Sequence, residues 1–279
     1  MLKSPTIIPK ADVVGRCEMY NLWSVDLRSV ICLRRFGKVF TKFSLGSMDS
    51  LARALLPYRD VIGNVAGMLT IGQFLSGCFT CNKIRLKGSS EGFSALQFVF
   101  GCGLTILQLK YSQMLRSAPL IRTSSYALAI CLVYSGCFLF YTPSGKRNDF
   151  WKLVMRTTLL AGGALLYAGF ENPGLVKDRF GLLVTVLTLS YIGLPLLKLR
   201  EVIRKKSSEG LPLPVILAST GASVLWLLYG IILHNYFIIV QKVIALGLCA
   251  VQLSLFVIYP APAATAAAVR AQHKKPKGE

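Results

Sequence analysis

The sequence predicts an all-α integral membrane protein with seven transmembrane helices, arranged as two parallel three-helix bundles joined by one further span (3+1+3). Three observations support this fold class. Of the 279 residues, 53% are hydrophobic and 16% are charged, whereas soluble domains average roughly 25% charged residues. Apolar runs of roughly 20 residues, the length of helix that crosses a bilayer, follow one another along the chain. A four-residue motif that follows the first run recurs after the fifth.

The chain divides into five segments. Residues 1–57 form a basic N-terminal extension, which we expect to be disordered because it has no apolar run long enough for a signal-peptide core. The other segments are a first three-helix bundle, a linker containing span four, a second three-helix bundle and a cytosolic tail, over 58–141, 142–179, 180–259 and 260–279. The seven spans are predicted near 60–81, 93–114, 119–141, 152–170, 180–199, 212–233 and 236–259.

The basic residues orient the spans. The formal net charge is +20, which on a soluble protein would indicate a nucleic-acid ligand. Here Lys and Arg lie in the loops after spans one, three and five and in the tail, while the alternate loops 171–179 and 234–236 have no such excess. By the positive-inside rule, the C-terminus is cytosolic and the N-terminus is outside or lumenal. We therefore expect contact with the lipid bilayer and its anionic headgroups, and no nucleic acid.

Stretch 180–232 contains two spans and the basic hinge Lys198–Lys206 that joins them. Pro195 lies inside the first of these spans, and Pro212 opens the second. A proline inside a span frees backbone groups and weakens the helix locally. Pro195 and Pro212 are therefore predicted hinge points for helices that bend.

The eight cysteines do not indicate a metal or redox centre. Most of them lie in apolar runs, where a free thiol behaves as a small hydrophobic side chain. Cys78 and Cys81 have the C-x-x-C spacing of a metal or redox pair, but no second pair follows, and His234 and His273 are the only histidines. We expect no metal or cofactor, and because no nucleophile–base or metal-ligand constellation is visible, no enzyme.

The internal repeat has a constant offset of 118 residues. Ser89–Gly92 recurs as Ser207–Gly210, and the same offset places Tyr111 on Tyr229. An offset that holds across three spans indicates a duplicated three-helix unit, with span four as the connector. Because one span separates the two units, they cross the membrane in the same direction, and parallel repeats place a substrate path where the two halves meet.

Four sequence features cluster in the second half. They are Pro195, the stretch KSSEGLPLP over 206–214, the pattern Trp226-x-x-Tyr229-Gly230, and the pattern Gln252-Leu-x-Leu-Phe-x-x-Tyr259-Pro260. Together they resemble the SWEET family of sugar transporters, within the PQ-loop superfamily, and most closely its animal branch. The resemblance covers about residues 58–260. It implies facilitated, bidirectional uniport of mono- or disaccharides by rocking of the two three-helix bundles, without a cofactor.

The resemblance also implies a substrate pocket. The family has an asparagine on the third span and another on the seventh, and the matching positions here are Ser124 and Lys242. Gln108 stands where the second span of the family has an aromatic or small residue, while the sixth span retains Trp226. Gly77 stands where the family usually has the proline of span one, and we assign it to the hinge with Pro195 and Pro212.

Each pocket position has two interpretations. Trp226 suits an aromatic platform for a sugar ring, or it packs at a helix interface. Gln108 and Ser124 both donate and accept, so they either bind sugar hydroxyls or satisfy hydrogen bonds between helices. Lys242 donates but cannot accept. Its ammonium either faces the pocket, where it favours a phosphorylated or acidic sugar or abolishes sugar transport, or it snorkels to the nearby end of span seven.

These observations favour a sugar uniporter of the plasma membrane or the Golgi membrane that forms homo-oligomers, or hetero-oligomers with other family members. The alternative is a relative that does not transport and instead oligomerises with, or regulates, active transporters. Its motivation is the loss of both pocket asparagines, of the proline of span one, and of a second proline that the family has on span two and this chain lacks.

Overall fold

The computed structural model describes residues 48–205 and 213–258, apart from the side chains of 173, 194–205 and 257. Residues 1–47 of the predicted extension, the segment 206–212 with Pro212, and the predicted tail lie outside the described residues. The helices of the described chain are α1 (Arg59–Leu75), α2 (Gly77–Lys87), α3 (Ala95–Met114), α4 (Ala118–Phe140), α5 (Ser144–Phe170), α6 (Pro173–Lys205), α7 (Leu213–Ile232) and α8 (Tyr236–Ile258).

The first span is built from α1 and α2, which meet at a break at Ser76. The backbone N–H and the hydroxyl of Ser76 both donate to the carbonyl of Gln73, at 3.0 and 2.6 Å. Residues 48–55, which precede the 3-10 turn Leu56–Tyr58, are also helical. The prediction that residues 1–57 are disordered is therefore wrong for 48–57, because this stretch is rich in alanine and leucine, the strongest helix formers.

Five helical runs of the described chain are long and apolar enough to cross a membrane, judged by length and composition: Met48–Lys87, Ala118–Phe140, Ser144–Phe170, Leu213–Ile232 and Tyr236–Phe256. Helices α3 and α6 pack between these runs and complete the seven spans. The predicted all-α fold of 3+1+3 spans is confirmed.

The packing follows the sequence repeat. In the first bundle α4 lies between α1 and α3, and in the second α8 lies between α6 and α7. The halves meet where α1 packs on α7 and where α3 packs on α6, and α5 packs mainly on α3. The offset of 118 converts α1, α3 and α4 into α6, α7 and α8. It therefore converts one interface between the halves into the other, as parallel repeats require.

Two helices extend further than their apolar runs. Helix α5 begins at Ser144, so that Lys146, Arg147 and Lys152 lie on its first turns and not in a loop. Helix α6 runs from Pro173 to Lys205, through Pro195 and through most of the predicted hinge Lys198–Lys206. Backbone hydrogen bonding continues past the apolar segment because Lys and Arg are good helix formers outside the hydrocarbon region.

The first copy of the repeated motif fixes one end of the bundle, which we call the motif end. The hydroxyl of Ser90 lies 3.1 Å from that of Thr142, and the backbone N–H of Ser90 donates to the carbonyl of Tyr141 at 3.0 Å. Glu91 pairs with Lys146 at 3.1 Å. The motif thus fastens the loop between spans one and two to the start of span four.

Candidate functional site

A layer of polar and aromatic side chains lies at the interfaces between the two halves. Trp226 Nε1 on α7 donates to Thr70 Oγ1 on α1 at 2.8 Å. Gln108 Nε2 on α3 donates to Thr188 Oγ1 on α6 at 3.0 Å. Both partners of the second bond differ by 118 residues from those of the first. One repeated contact therefore joins the halves twice, once with an indole and once with an amide. We call the residues at this depth of the bundle the central layer: Thr70, Gln108, Ser124, Thr188, Trp226 and Lys242.

The two threonines are prepared as acceptors by their own helices. The Thr70 hydroxyl donates to the Ala66 carbonyl at 2.8 Å, and the Thr188 hydroxyl donates to the Val184 carbonyl at 2.7 Å. With the proton of each hydroxyl directed along its own helix, the lone pairs of the oxygen face the opposite half. A threonine in a span can in this way satisfy itself and still accept one hydrogen bond from across the interface.

Trp226 is only 4% exposed. Its ring packs edge-on against Tyr229, with centroids 5.5 Å apart, and lies in a cluster with Ala66 and Ala222. The structure therefore shows Trp226 at a helix interface, which was one of its two interpretations. The indole also joins the two halves, so separation of α1 from α7 at this depth breaks its bond to Thr70.

Ser124 lies on α4 beside the second span. Its hydroxyl is buried, 3.4 Å from that of Ser112, and Ser112 in turn donates to the carbonyl of Gln108 at 2.7 Å. The hydroxyl of Ser124 thus lies at the edge of the central layer and takes part in a short interhelical contact. Its repeat equivalent on α8 is Lys242.

Lys242 lies at the depth of Trp226. Gly230 of α7 touches Ile238 and Ile239 of α8: a Cβ placed on the glycine would lie 2.9 Å from Ile238 and 3.3 Å from Ile239. One turn further into each of these antiparallel helices are Trp226 and Lys242. The four sequence-predicted binding residues, Trp226, Gln108, Ser124 and Lys242, are therefore brought to one region, although their roles in binding remain proposals.

The opposite end of the bundle, which we call the tyrosine end, is closed by a second repeated contact. Asn235 Nδ2 donates to the Tyr111 hydroxyl at 2.9 Å, and the Tyr229 hydroxyl lies 2.6 Å from Ser117 Oγ. Tyr111 and Tyr229 are equivalent by the 118-residue offset, as are Ser117 and Asn235. Each tyrosine on a second span of one half is thus held at the start of the third span of the other half. The halves are joined at this end by buried hydrogen bonds.

Replacing either tyrosine by phenylalanine is expected to lower the free energy of unfolding by about 1–3 kcal/mol, because a buried partner is left without its hydrogen bond. Tyr229→Phe leaves the fully buried hydroxyl of Ser117 without this partner, and Tyr111→Phe does the same to the amide of Asn235. Thermal unfolding of the purified variants in detergent measures the effect. Tyr167→Phe is the control, since its partner Glu171 is at an exposed site. An equal loss in the control would show that the tyrosine end is not specially coupled.

The hinge candidates lie nearer the motif end. Gly77 follows the break at Ser76, and a side chain there would collide with the ring of Tyr134. Pro195 is the repeat equivalent of Gly77 and lies inside α6, which is helical throughout. Pro212 lies outside the described residues. Close packing against Tyr134 therefore explains why residue 77 is a glycine. The hinge roles of Gly77, Pro195 and Pro212 stay proposals.

Sequence reasoning missed two kinds of residue in or beside the central layer. Thr70 and Thr188 accept the cross-half hydrogen bonds, and their shared offset of 118 was the signal that identifies them. Gln73, one turn from Thr70, has a buried Nε2 with no hydrogen-bond partner among the described residues. No sequence pattern marks an unpaired amide, because pairing depends on which helix lies opposite.

The chain is similar to known sugar transporters. A family described as "Sugar efflux transporter for intercellular exchange" matches residues 60–146 and 178–264, one match for each half. Sugar transporter SWEET1 of Drosophila pseudoobscura pseudoobscura is 28% identical over 204 residues, which cover 72% of this chain and 89% of the relative. Bidirectional sugar transporter SWEET10 of Arabidopsis thaliana is 27% identical, with 76% and 74% of the two chains covered.

A solved structure supports the fold. The 3.7 Å structure of a eukaryotic SWEET transporter aligns with a TM-score of 0.66 and 24% identity, over 72% of this chain and 98% of that one. This alignment establishes the arrangement of the helices.

Proposed function

Because the chain belongs to the SWEET family of sugar transporters and to its animal branch, we propose that it carries sugars across a membrane by facilitated, bidirectional uniport. The observation that supports this most directly is the pair of equivalent cross-half hydrogen bonds, Trp226 to Thr70 and Gln108 to Thr188. They place polar groups, whose hydrogen bonds a sugar can replace, where the two halves must separate.

The chemistry of these bonds suits a sugar. Each consists of one N–H donor and one hydroxyl acceptor, and a sugar hydroxyl can both accept from the N–H and donate to the threonine oxygen. A sugar entering between the halves therefore replaces each bond without leaving a buried group unpaired, which would otherwise cost about 1–3 kcal/mol. Once the halves separate, the Trp226 ring offers an apolar surface for the C–H face of the sugar ring.

Rocking of the halves supplies the alternating access. In this arrangement the tyrosine end is held shut by Tyr111 and Tyr229, and opening of the other end requires bending of the first span of each half. We assign that bending to Gly77 in the first half and to its repeat equivalent Pro195 in the second, with Pro212 as a further hinge. No nucleotide or ion gradient enters this cycle, because the binding energy of the substrate alone shifts the balance between the two states.

The setting in the cell is also proposed. The basic loops favour a cytosolic C-terminus and an outside or lumenal N-terminus, in the plasma membrane or the Golgi membrane. The tyrosine end then faces outside. Homo-oligomers, or hetero-oligomers with other family members, are the assemblies that the family resemblance suggests. Accessibility of single cysteines placed in the loops to an impermeant thiol reagent tests the orientation.

Counterflow in liposomes tests the transport activity. We expect vesicles that hold the purified chain to exchange radiolabelled sugar with no ion gradient supplied, for glucose and sucrose in the wild type or in a Lys242→Asn variant. The control is the Arabidopsis relative in parallel vesicles. The proposed uniport fails if neither the wild type nor Lys242→Asn exchanges sugar while the control does, and both proteins are folded.

That failure would favour the second candidate, a relative that assembles with active transporters without transporting. The observation behind it is that Ser124 and Lys242 replace the two asparagines that the family resemblance implies for the pocket. Co-purification with an intact family member, set against transport by the chain alone, separates the two functions.

A further inference from the structure

Lys242 lies on the protein-facing side of α8 and is itself partly buried. On α8 the residues Val243, Ile244 and Val251 are 40–49% exposed and mark the lipid-facing side, whereas Ile239 and Cys249 are buried. At 100° per residue, Lys242 projects within about 20° of Cys249 and roughly 100° or more from each of the lipid-facing residues. The lysine therefore belongs to the packed side of the span.

The Cα of Lys242 lies well inside span seven. Lys242 is six residues after the start of α8 at Tyr236, which places its Cα about 9 Å into the helix. That is the depth of Trp226, as the close approach of Gly230 to Ile238 and Ile239 shows. A side chain on the protein side of α8 at this depth faces the central layer.

No group of the described chain neutralises this charge. Lys242 has neither a hydrogen bond nor an ion pair there. The acidic residues of that part of the chain lie in loops or near helix ends: Asp49, Asp60, Glu91, Asp149, Glu171, Asp178 and Glu201. An unpaired ammonium inside a span is costly, so it persists where it has a function.

We propose that Lys242 makes this carrier selective for a sugar that bears a single negative charge, with the carboxylate of a sugar acid as the group that pairs with the ammonium. The inference rests on the proposed transport function and names its substrate class. Gln108, Thr70 and Trp226 bind the neutral hydroxyls and ring as described above, and Lys242 supplies the one full charge of the layer.

The count of charges selects a carboxylate. One ammonium neutralises one carboxylate, whereas a phosphate group carries about −1.5 to −2 at pH 7 and would leave uncompensated negative charge in a poorly solvated layer. A neutral sugar meets the opposite difficulty. Its hydroxyl can accept from the ammonium but leaves the positive charge unpaired, because a lysine donates only.

Counterflow with three labelled probes tests this selectivity: glucuronate, glucose 6-phosphate and glucose. The wild type is expected to exchange glucuronate at least about tenfold faster than either other probe, and Lys242→Asn is expected to reverse the order in favour of glucose. Lys110→Asn is the matched control. Lys110 lies about 200° around α3 from Gln108, outside the central layer, so this variant should keep the wild-type order.

An imposed membrane potential gives a second readout, which would not change if Lys242 had a structural role alone. Uniport of a monoanion carries one charge, so steady-state glucuronate should accumulate roughly tenfold for each 60 mV of inside-positive potential. Glucose carried by Lys242→Asn should not respond to the potential.

The outcomes separate the two proposals. If the wild type exchanges glucose as fast as glucuronate, or if Lys242→Asn leaves glucuronate exchange unchanged, the substrate class is wrong while the uniporter stands. Preference for glucose 6-phosphate would replace the carboxylate by a phosphate and overturn the sugar-acid assignment. If neither protein exchanges any of the three probes, both proposals fail.

Discussion

Trp226→Ala is expected to lower sugar exchange about a hundredfold, because the platform that it removes contributes roughly 1.5–3 kcal/mol of apolar contact. The substitution also deletes the donor of the bond to Thr70 and leaves a gap beside Tyr229 and Ala222. Counterflow in liposomes measures the exchange. Trp151→Ala is the matched control, since that indole is 54% exposed on α5 and lies outside the central layer.

A second pair of variants separates binding from folding. Trp226→Phe keeps an aromatic ring but has no N–H, and Thr70→Ala keeps the indole but removes its acceptor. Both should fold and reach the membrane, and both should weaken exchange less than Trp226→Ala does. If Trp226→Ala stays folded and transports at the wild-type rate, Trp226 is not the platform. If only its stability falls, the residue is a packing residue alone.

Gly63→Ala is expected to lower the free energy of unfolding by about 1–3 kcal/mol through overpacking. A methyl group there would lie 2.8 Å from Pro119 Cβ and 2.8 Å from Tyr229 Cε2. The rigid proline ring has little freedom to move, and the tyrosine is held by its hydroxyl at Ser117. Thermal unfolding in detergent measures the loss.

The repeat offers a second position for the same test, Gly181, and two further glycines serve as controls. Gly181, equivalent to Gly63, would place a methyl 2.8 Å from the Tyr111 hydroxyl and 2.8 Å from the ring of Phe237, so Gly181→Ala should destabilise similarly. At Gly72 on α1 and Gly193 on α6, such a methyl would have no described atom of another residue within 4 Å. Alanine at either should be neutral or stabilising by up to about 1 kcal/mol, since it favours the helix. Equal effects at all four glycines would contradict close packing of the halves.

The arrangement of helices could be predicted because it depends on patterns along the chain. Span length follows from the thickness of the bilayer, and direction follows from the distribution of Lys and Arg. The constant offset that joins Ser89–Gly92 to Ser207–Gly210 was enough to predict two parallel halves. Helix ends were predicted less well, as α5 and α6 show, because a helix does not stop where its apolar run stops.

The binding residues were only partly predictable. The family resemblance pointed to Trp226, Gln108, Ser124 and Lys242, and the structure brings them to one depth. It did not indicate that Trp226 and Gln108 each donate to a threonine of the other half. Those partners lie 156 and 80 positions away in the sequence. Only packing of α1 on α7 and of α3 on α6 makes them neighbours.

Lys242 shows most clearly what each level of information contributes. The sequence by itself determined that an ammonium lies within the seventh span, that Ser124 is its repeat equivalent, and that the fold is a duplicated bundle, because these depend on hydropathy, charge and register. Only the tertiary structure decided on which side of α8 the lysine lies. The helices that pack on α8 decide which of its sides faces protein and which faces lipid. A side chain near the end of a span can snorkel or turn inward according to those neighbours. The same reason explains Gly63 and Gly181, whose small size acquires a meaning only when the opposite half lies against them.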